Sequence, residues 1–316
     1  MPAGLIDALR QYRPQLLRLR HVIGCGVGFK EQRGQTTGVR SLIVFVERKQ
    51  PATALSLADR VPRELGGVPT DVIALGRLRL LASRTARVRP APPGVSIGHY
   101  RVTAGTFGAV VYDEDTGRPL ILSNNHVLAN ITDGRDGRAQ LGDPVYQPGT
   151  YDAGAADDTI GHLLRFAPVY RAHRLPAGEE TDSAGPGLNR VDAALAEPIS
   201  PDVISPYVMG LGEIRGTAAP QVGARVWKSG RTSGVTEGRI RAVAATLNVS
   251  MGEAGTALFE DQIVTSPMAE PGDSGSLGLT EDRRIVGLLF AGSPLATLFN
   301  TVENVSRVLR VRFTPA

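Results

Sequence analysis

The chain has 316 residues, 42% hydrophobic and 21% charged, which is enough apolar material to bury a sizeable core and too balanced for a disordered polymer. Its 37 glycines and 22 prolines suit a turn-dense β protein. No apolar run reaches the ~18 residues of a membrane span, and the strongest, 41–46 and 285–291, have the length of strands. The net charge of +4 divides unevenly: residues 1–90 carry 16 Lys/Arg against 6 Asp/Glu, whereas residues 91–316 carry 19 against 25.

From the amino terminus, Leu5, Ile6, Leu9, Leu16 and Leu17 recur at helical spacing, with Pro14 expected to break or kink the run. Residues 21–29 and 40–47 read as a β-hairpin, 56–65 as helical, and 70–75 and 78–81 as further strands, together a small basic α+β unit. The proline-rich stretch 87–94 is the expected linker. Beyond it, strands are expected at 106–112, 119–123, 143–147 and 159–166, a long surface loop at 175–190, a β-rich region at 222–290 and a capped helix at 300–310. An acidic Asp7 and interrupting arginines disfavour a signal peptide, and the single Cys25 offers no disulfide framework, so a cytoplasmic location is expected.

The sharpest chemical signal is Pro271-Gly272-Asp273-Ser274-Gly275-Ser276, a glycine-flanked serine on a tight turn whose Gly272 and Ser274 amides can converge on an oxyanion. A serine hydroxyl is a weak nucleophile and needs a base. Of the five histidines, His21, His99, His162 and His173 read as structural, while His126 stands where the apolar strand 121–123 hands over to a short turn or helix. Asp192 opens the apolar run 193–196, a place where a carboxylate is costly unless paired. Cys25 reads as a small strand residue. No His/Cys/Asp cluster has metal-ligand spacing, and no metal or other cofactor is expected.

With Leu122-Ser123-Asn124-Asn125-His126-Val127, Val191-Asp192-Ala193-Ala194-Leu195 and Gly272-Asp273-Ser274-Gly275 in the order His, Asp, Ser, the chain from about residue 95 onward resembles the chymotrypsin/trypsin-like serine proteases. A fourth match, 226–238, resembles the Gly/Thr-rich hairpin of the second barrel in bacterial members. The Asn-Asn-His-Val motif, the lack of a cysteine framework and the basic unit ahead of it are most similar to intracellular bacterial relatives of the plant narrow-leaf serine proteases. The resemblance implies a mainly β fold of two six-stranded antiparallel β-barrels with a C-terminal helix, preceded by the small α+β domain. It divides the chain at 1–90, 91–200 (His126, Asp192) and 201–316 (Ser274).

It further implies a serine endopeptidase acting on protein or peptide substrates, with Ser274, His126 and Asp192 as the catalytic triad and the Gly272 and Ser274 amides as the oxyanion hole. By family position Met268 lies near the base of the primary specificity pocket, and Phe290, Ala291 and Gly292 form the strand that pairs with substrate. Met268 carries no charge, so a strict preference for Lys or Arg is not implied. Ser276 replaces the second glycine of the digestive enzymes, and no clear Ile/Val-Gly-Gly terminus is seen. The alternative reading is a catalytically silent or latent scaffold that keeps the protease fold. For residues 1–90 the favoured role is a regulatory domain that docks on the acidic body. Nucleic-acid binding is disfavoured because that segment has only Tyr12, Phe29 and Phe45 as aromatics. Self-association is left open.

Overall fold

A computed structural model describes residues 3–32, 35–76, 83–171, 188–252 and 255–315. The chain divides into two units, Met1–Ala82 and Ser83–Ala316.

In the first unit the helix Ala3–Leu16 carries Pro14 in its last turn and ends two residues later, so the proline terminates the helix near its end instead of breaking it midway. Its buried Leu16 packs with Leu42, Val44 and Leu65 in the core of this unit. The expected hairpin forms from Val22–Gln32 and Gln35–Val46, and Val68–Ala74 adds to the latter in parallel. The expected helix at 56–65 reduces to one 3-10 turn, Leu57–Asp59, followed by the short strand Glu64–Leu65. Pro62 lacks the N–H a longer helix would need there. The expected strand at 78–81 lies outside the described residues, as does most of the expected loop at 175–190.

The second unit is mainly β. One antiparallel sheet runs, in spatial order, Val311–Arg312, Ala109–Asp113, Pro119–Ser123, Ala194–Pro198, Thr159–Phe166, Pro144–Tyr146, Ser96–His99 and Gly105–Thr106. The other runs Leu188–Asn189, Thr256–Thr265, Gly234–Ser250, Arg225–Gly230, Leu277–Leu279, Ile285–Ser293 and Ala296–Thr301. Pairing of Ala296–Thr301 back onto Thr256–Thr265 closes six of these seven strands into a ring. Where the resemblance implies six strands, the first sheet thus has eight among the described residues, two of them two-residue edge strands too short to leave a pattern.

Between the sheets lies a shared apolar core in which Val111, Leu122 and Leu195 of the first meet Leu277, Ile285 and Leu288 of the second. The helix Val302–Leu309 lays Val302, Val305 and Leu309 into the same cluster. The proline-rich stretch expected as a linker belongs to the second unit. Ala91 is fully buried, its N–H donates to the Val203 carbonyl at 2.8 Å, and Gly94 N–H donates to the Phe107 carbonyl at 2.7 Å. Proline restrains such a backbone but leaves the N–H groups between the prolines free to pair. No described helix is long and apolar enough to cross a membrane.

Candidate active site

His126 lies in the one-turn helix Asn125–Leu128, immediately after the strand Pro119–Ser123. The flanking Val127 and Leu128 are buried, which anchors the turn while the His126 side chain stays partly exposed. Asp192 is fully buried, and its Oδ2 lies 2.6 Å from His126 Nδ1 while its Oδ1 accepts the His126 backbone N–H at 3.1 Å. One carboxylate therefore holds both the ring and the backbone of the same residue.

Asp192 is itself held by groups that sequence reasoning missed. Asn124 Nδ2 donates to the Asp192 carbonyl at 2.7 Å, and the Asp192 N–H donates to Asn300 Oδ1 at 3.0 Å. Asn300 Nδ2 in turn donates to Gln262 Oε1 at 2.7 Å, and Gln262 Nε2 donates to the Arg190 carbonyl at 2.9 Å. Asn300 and Gln262 come from the second sheet, so this polar chain couples the two sheets behind the imidazole. Both amides are fully buried, but Gln262 follows Glu260 and Asp261 and Asn300 precedes Thr301, so the local polarity of their strands carried no signal of that burial.

Ser274 is half-buried in the loop 270–276. The Asp273 N–H donates to the Glu270 carbonyl at 3.0 Å and the Ser276 N–H to the Asp273 carbonyl at 3.1 Å, so the backbone reverses tightly around the serine. The Ser276 hydroxyl, which takes the place of a glycine, adds a bond to the same Asp273 carbonyl at 2.5 Å. Gly272 and Gly275 have φ of +98° and +97°, the left-handed region in which a side chain is strained. At Gly275 a Cβ would also lie 2.2 Å from Ser123 Oγ, so no larger residue fits.

The segment Gly105–Thr106 ties the histidine and serine regions together. A Cβ at Gly105 would meet a Val127 methyl at 2.4 Å and the Ser274 carbonyl oxygen at 3.0 Å. Thr106 donates its N–H to the Ser274 carbonyl at 2.7 Å and its hydroxyl to the Gly272 carbonyl at 2.9 Å. Val127, the neighbour of His126, and the Ser274 carbonyl thus both approach the Gly105–Thr106 strand.

Beside His126 opens a cleft of about 470 Å³ walled by Ile131, Val249, Met251, Phe290 and Leu298, with Ala291 and Gly292 along it. Met268 lies elsewhere, buried in the apolar core of the second sheet with Val226, Ile240 and Phe299. A larger cleft of about 790 Å³, around Asp261, Glu303 and Arg307, contains none of the residues singled out in the sequence. His99 is fully buried with Nε2 3.0 Å from Asp143 Oδ2, and burial pushes its pKa below the ordinary histidine value despite that carboxylate. His162 sits exposed on the strand Thr159–Phe166, His21 lies in the first unit, and His173 is outside the described residues. Among the described residues no group of three or more His, Cys, Asp or Glu is placed to hold a metal.

Superposition on solved structures matches the second unit to serine proteases of the chymotrypsin type. A glutamic acid specific serine protease described as utilizing a histidine triad in substrate binding aligns with a TM-score of 0.50 at 16% identity, covering 71% of this chain and 100% of its own. The second unit has a chymotrypsin-like fold. Thermobifida fusca Protease A aligns with a TM-score of 0.49 at 17% identity, over 72% of this chain and 100% of its own. In sequence the chain is similar to Protein NARROW LEAF 1 of Oryza sativa subsp. japonica, 25% identical over 333 aligned residues that cover 92% of this chain. The chain spans about half the length of that relative, 54%. No family model matches. On the chymotrypsin-like fold, the cleft beside His126 is shaped by the edge of Ile285–Ser293 and the end of the long hairpin Gly234–Ser250 and Thr256–Thr265.

Proposed function

We propose that the second unit is a serine endopeptidase that cleaves protein or peptide substrates through an acyl-enzyme. The observation that carries this reading is the His126–Asp192 pair, a partly exposed imidazole held at 2.6 Å by a fully buried carboxylate, with the Ser274 carbonyl bonded to the Gly105–Thr106 strand that Val127, next to His126, also approaches. A carboxylate on Nδ1 keeps the proton on that nitrogen, which leaves Nε2 with a free lone pair and able to act as a base.

In the proposed mechanism Ser274 Oγ attacks the substrate carbonyl while His126 Nε2 takes its proton. The negative charge that develops on the carbonyl oxygen is met by the Gly272 and Ser274 N–H groups. His126 then protonates the departing amine, and water, activated by the same nitrogen, releases the acid from Ser274. Asp192 stabilises the imidazolium formed on the way without taking its proton. Phe290, Ala291 and Gly292 are the strand against which an extended substrate pairs, and the apolar walls of the adjoining cleft favour apolar side chains there.

Intact mass after treatment with a fluorophosphonate probe tests the reading. One adduct on the wild type and none on Ser274→Ala is the expected result. A wild type that folds and stays unmodified would sink it and leave a silent scaffold as the better account.

A further inference from the structure

The first unit holds a cleft of about 760 Å³ walled by Arg20, Lys30, Arg48, Lys49, Arg60 and Arg63. Among the described residues only two carboxylates, Asp59 and Asp71, line it. Both are already engaged by neighbouring donors. Asp59 accepts the Arg20 backbone N–H at 3.2 Å and the Ser56 hydroxyl at 2.7 Å, and Asp71 accepts the N–H groups of Glu31 at 2.7 Å and Val72 at 2.9 Å.

The cations are left short of counter-ions. Lys30 Nζ donates to the Thr70 carbonyl and Arg60 Nε to the Leu55 carbonyl, each at 3.3 Å, and each group has further N–H donors. Arg48, Lys49 and Arg63 are exposed, and among the described residues their side chains form no hydrogen bond or ion pair. Like charges gathered around one cleft repel one another and focus a positive potential into it, so an anion is drawn there and relieves the repulsion.

The shape and lining of the cleft narrow the kind of anion. Val22 pairs with Val46 and Thr70 with Leu42, and Val22, Val46 and Thr70 all line the cleft. It therefore runs alongside the strand Gln35–Val46 from Leu42 to Val46, about 13 Å, which is the reach of a short extended peptide and more than a single phosphate group needs. Val22, Val46, Leu55, Val61 and Val72 set aliphatic surface between the charges. None of its walls is aromatic, so nucleobases find nothing to stack on. An extended segment that mixes carboxylates with aliphatic side chains matches all of these features.

We propose that this cleft is a docking site for an acidic, aliphatic-containing segment of protein substrates, held by the first unit while the second unit cuts elsewhere in the same substrate chain. The proposal rests on the peptidase reading of the second unit. Holding one segment raises the local concentration of the rest of that substrate, which lowers KM without any new contact at the reacting bond.

The test measures binding first, by fluorescence anisotropy, on the full chain carrying Ser274→Ala so that the probe is not cut. The probe is a rhodamine-labelled peptide of Glu, Leu and Ser, and its control has Gln at every Glu. The acidic peptide binds at least ~10-fold more tightly than the control, and raising the salt from ~50 to ~300 mM weakens it by at least ~10-fold. Arg48→Glu/Lys49→Glu and Arg63→Glu, added separately to the same chain, each weaken it by at least ~10-fold, and should one of these fail to fold the other decides. Equal affinity for the two peptides, or native affinity in the charge-reversed chains, overturns the proposal. Tighter binding of a single-stranded oligonucleotide overturns it in favour of a nucleic-acid surface, and displacement by equimolar inorganic phosphate in favour of a small-anion site. With Ser274 intact, appending the acidic segment to a peptide substrate raises kcat/KM by at least ~10-fold, and Arg48→Glu/Lys49→Glu returns the appended-to-plain ratio to about one. A ratio of about one in wild type also overturns the proposal. If no peptide is hydrolysed at all, the peptidase reading falls, and the anisotropy comparison still decides whether the cleft takes an acidic segment.

Discussion

Asp192 grips His126 through both oxygens, and its own backbone is held from the second sheet by Asn300. In Asp192→Asn the amide can present its N–H to the ring and stabilise the wrong tautomer, so turnover falls by about 10⁴ while the fold survives, measurable as kcat with a peptide substrate beside an unchanged Tm. Gly275→Ala meets both a left-handed φ and a Cβ contact of 2.2 Å, so the serine turn must shift. Its expected outcome is loss of fluorophosphonate modification and a lowered Tm. Burial alone would raise the Asp273 pKa, yet Lys228, with Nζ 2.8 Å from its Oδ2, and Ser233 hold it below that of the unfolded chain, so between the two values the unfolded state binds the extra proton. The stability it contributes is complete above about pH 4 and is lost as the pH falls through the native value. The decline of Tm between pH 5 and 2 is therefore steeper in wild type than in Lys228→Met/Asp273→Asn, and equal slopes would contradict this sign.

Among the elements, the closing helix Val302–Leu309 is the plainest case of a sequence pattern becoming a packed face. Val302, Val305 and Leu309 are buried, and Val308 is 40% exposed. Leu309→Ala is expected to cost about 2–5 kcal/mol and Val308→Ala less than about 0.5 kcal/mol, read from denaturant unfolding of the second unit. Helical periodicity was a sound guide there because one face meets an apolar core. The helix expected at 56–65 does not form: Leu57 stays exposed and has no core to bury against, so the chain makes a single turn and moves on. The short helix carrying His126 holds only four residues, and its place comes from the buried Val127 and Leu128 instead of from propensity.

At the scale of the whole chain, each unit has its own apolar core, around Leu16, Leu42, Val44 and Leu65 in the first and between the two sheets in the second. Calorimetry should accordingly resolve two unfolding transitions, and residues 83–316 expressed alone should unfold within a few degrees of one of them and retain modification at Ser274. A single cooperative transition lost on truncation would show that the second core does not stand by itself.

The ordered motifs around His126, Asp192 and Ser274 were legible in the sequence because each breaks a local rule: a histidine at the end of an apolar strand, an acid opening another, a glycine-flanked serine on a turn. Strand alternation and turn residues likewise pointed to a mainly β body, since they depend only on near neighbours. What the tertiary structure alone decided lies in contacts between residues far apart in the chain. The Asn300–Gln262 support behind Asp192, the Lys228–Asp273 pair, the burial of Met268 in a core, and the incorporation of the proline-rich stretch into the second unit all belong here. A buried amide or ammonium is admitted only where a distant partner satisfies it, and that partner is chosen by tertiary folding: within the second sheet and its loops for Lys228–Asp273 and Asn300–Gln262, and between Asn300 and the segment that leads into the first sheet for Asp192.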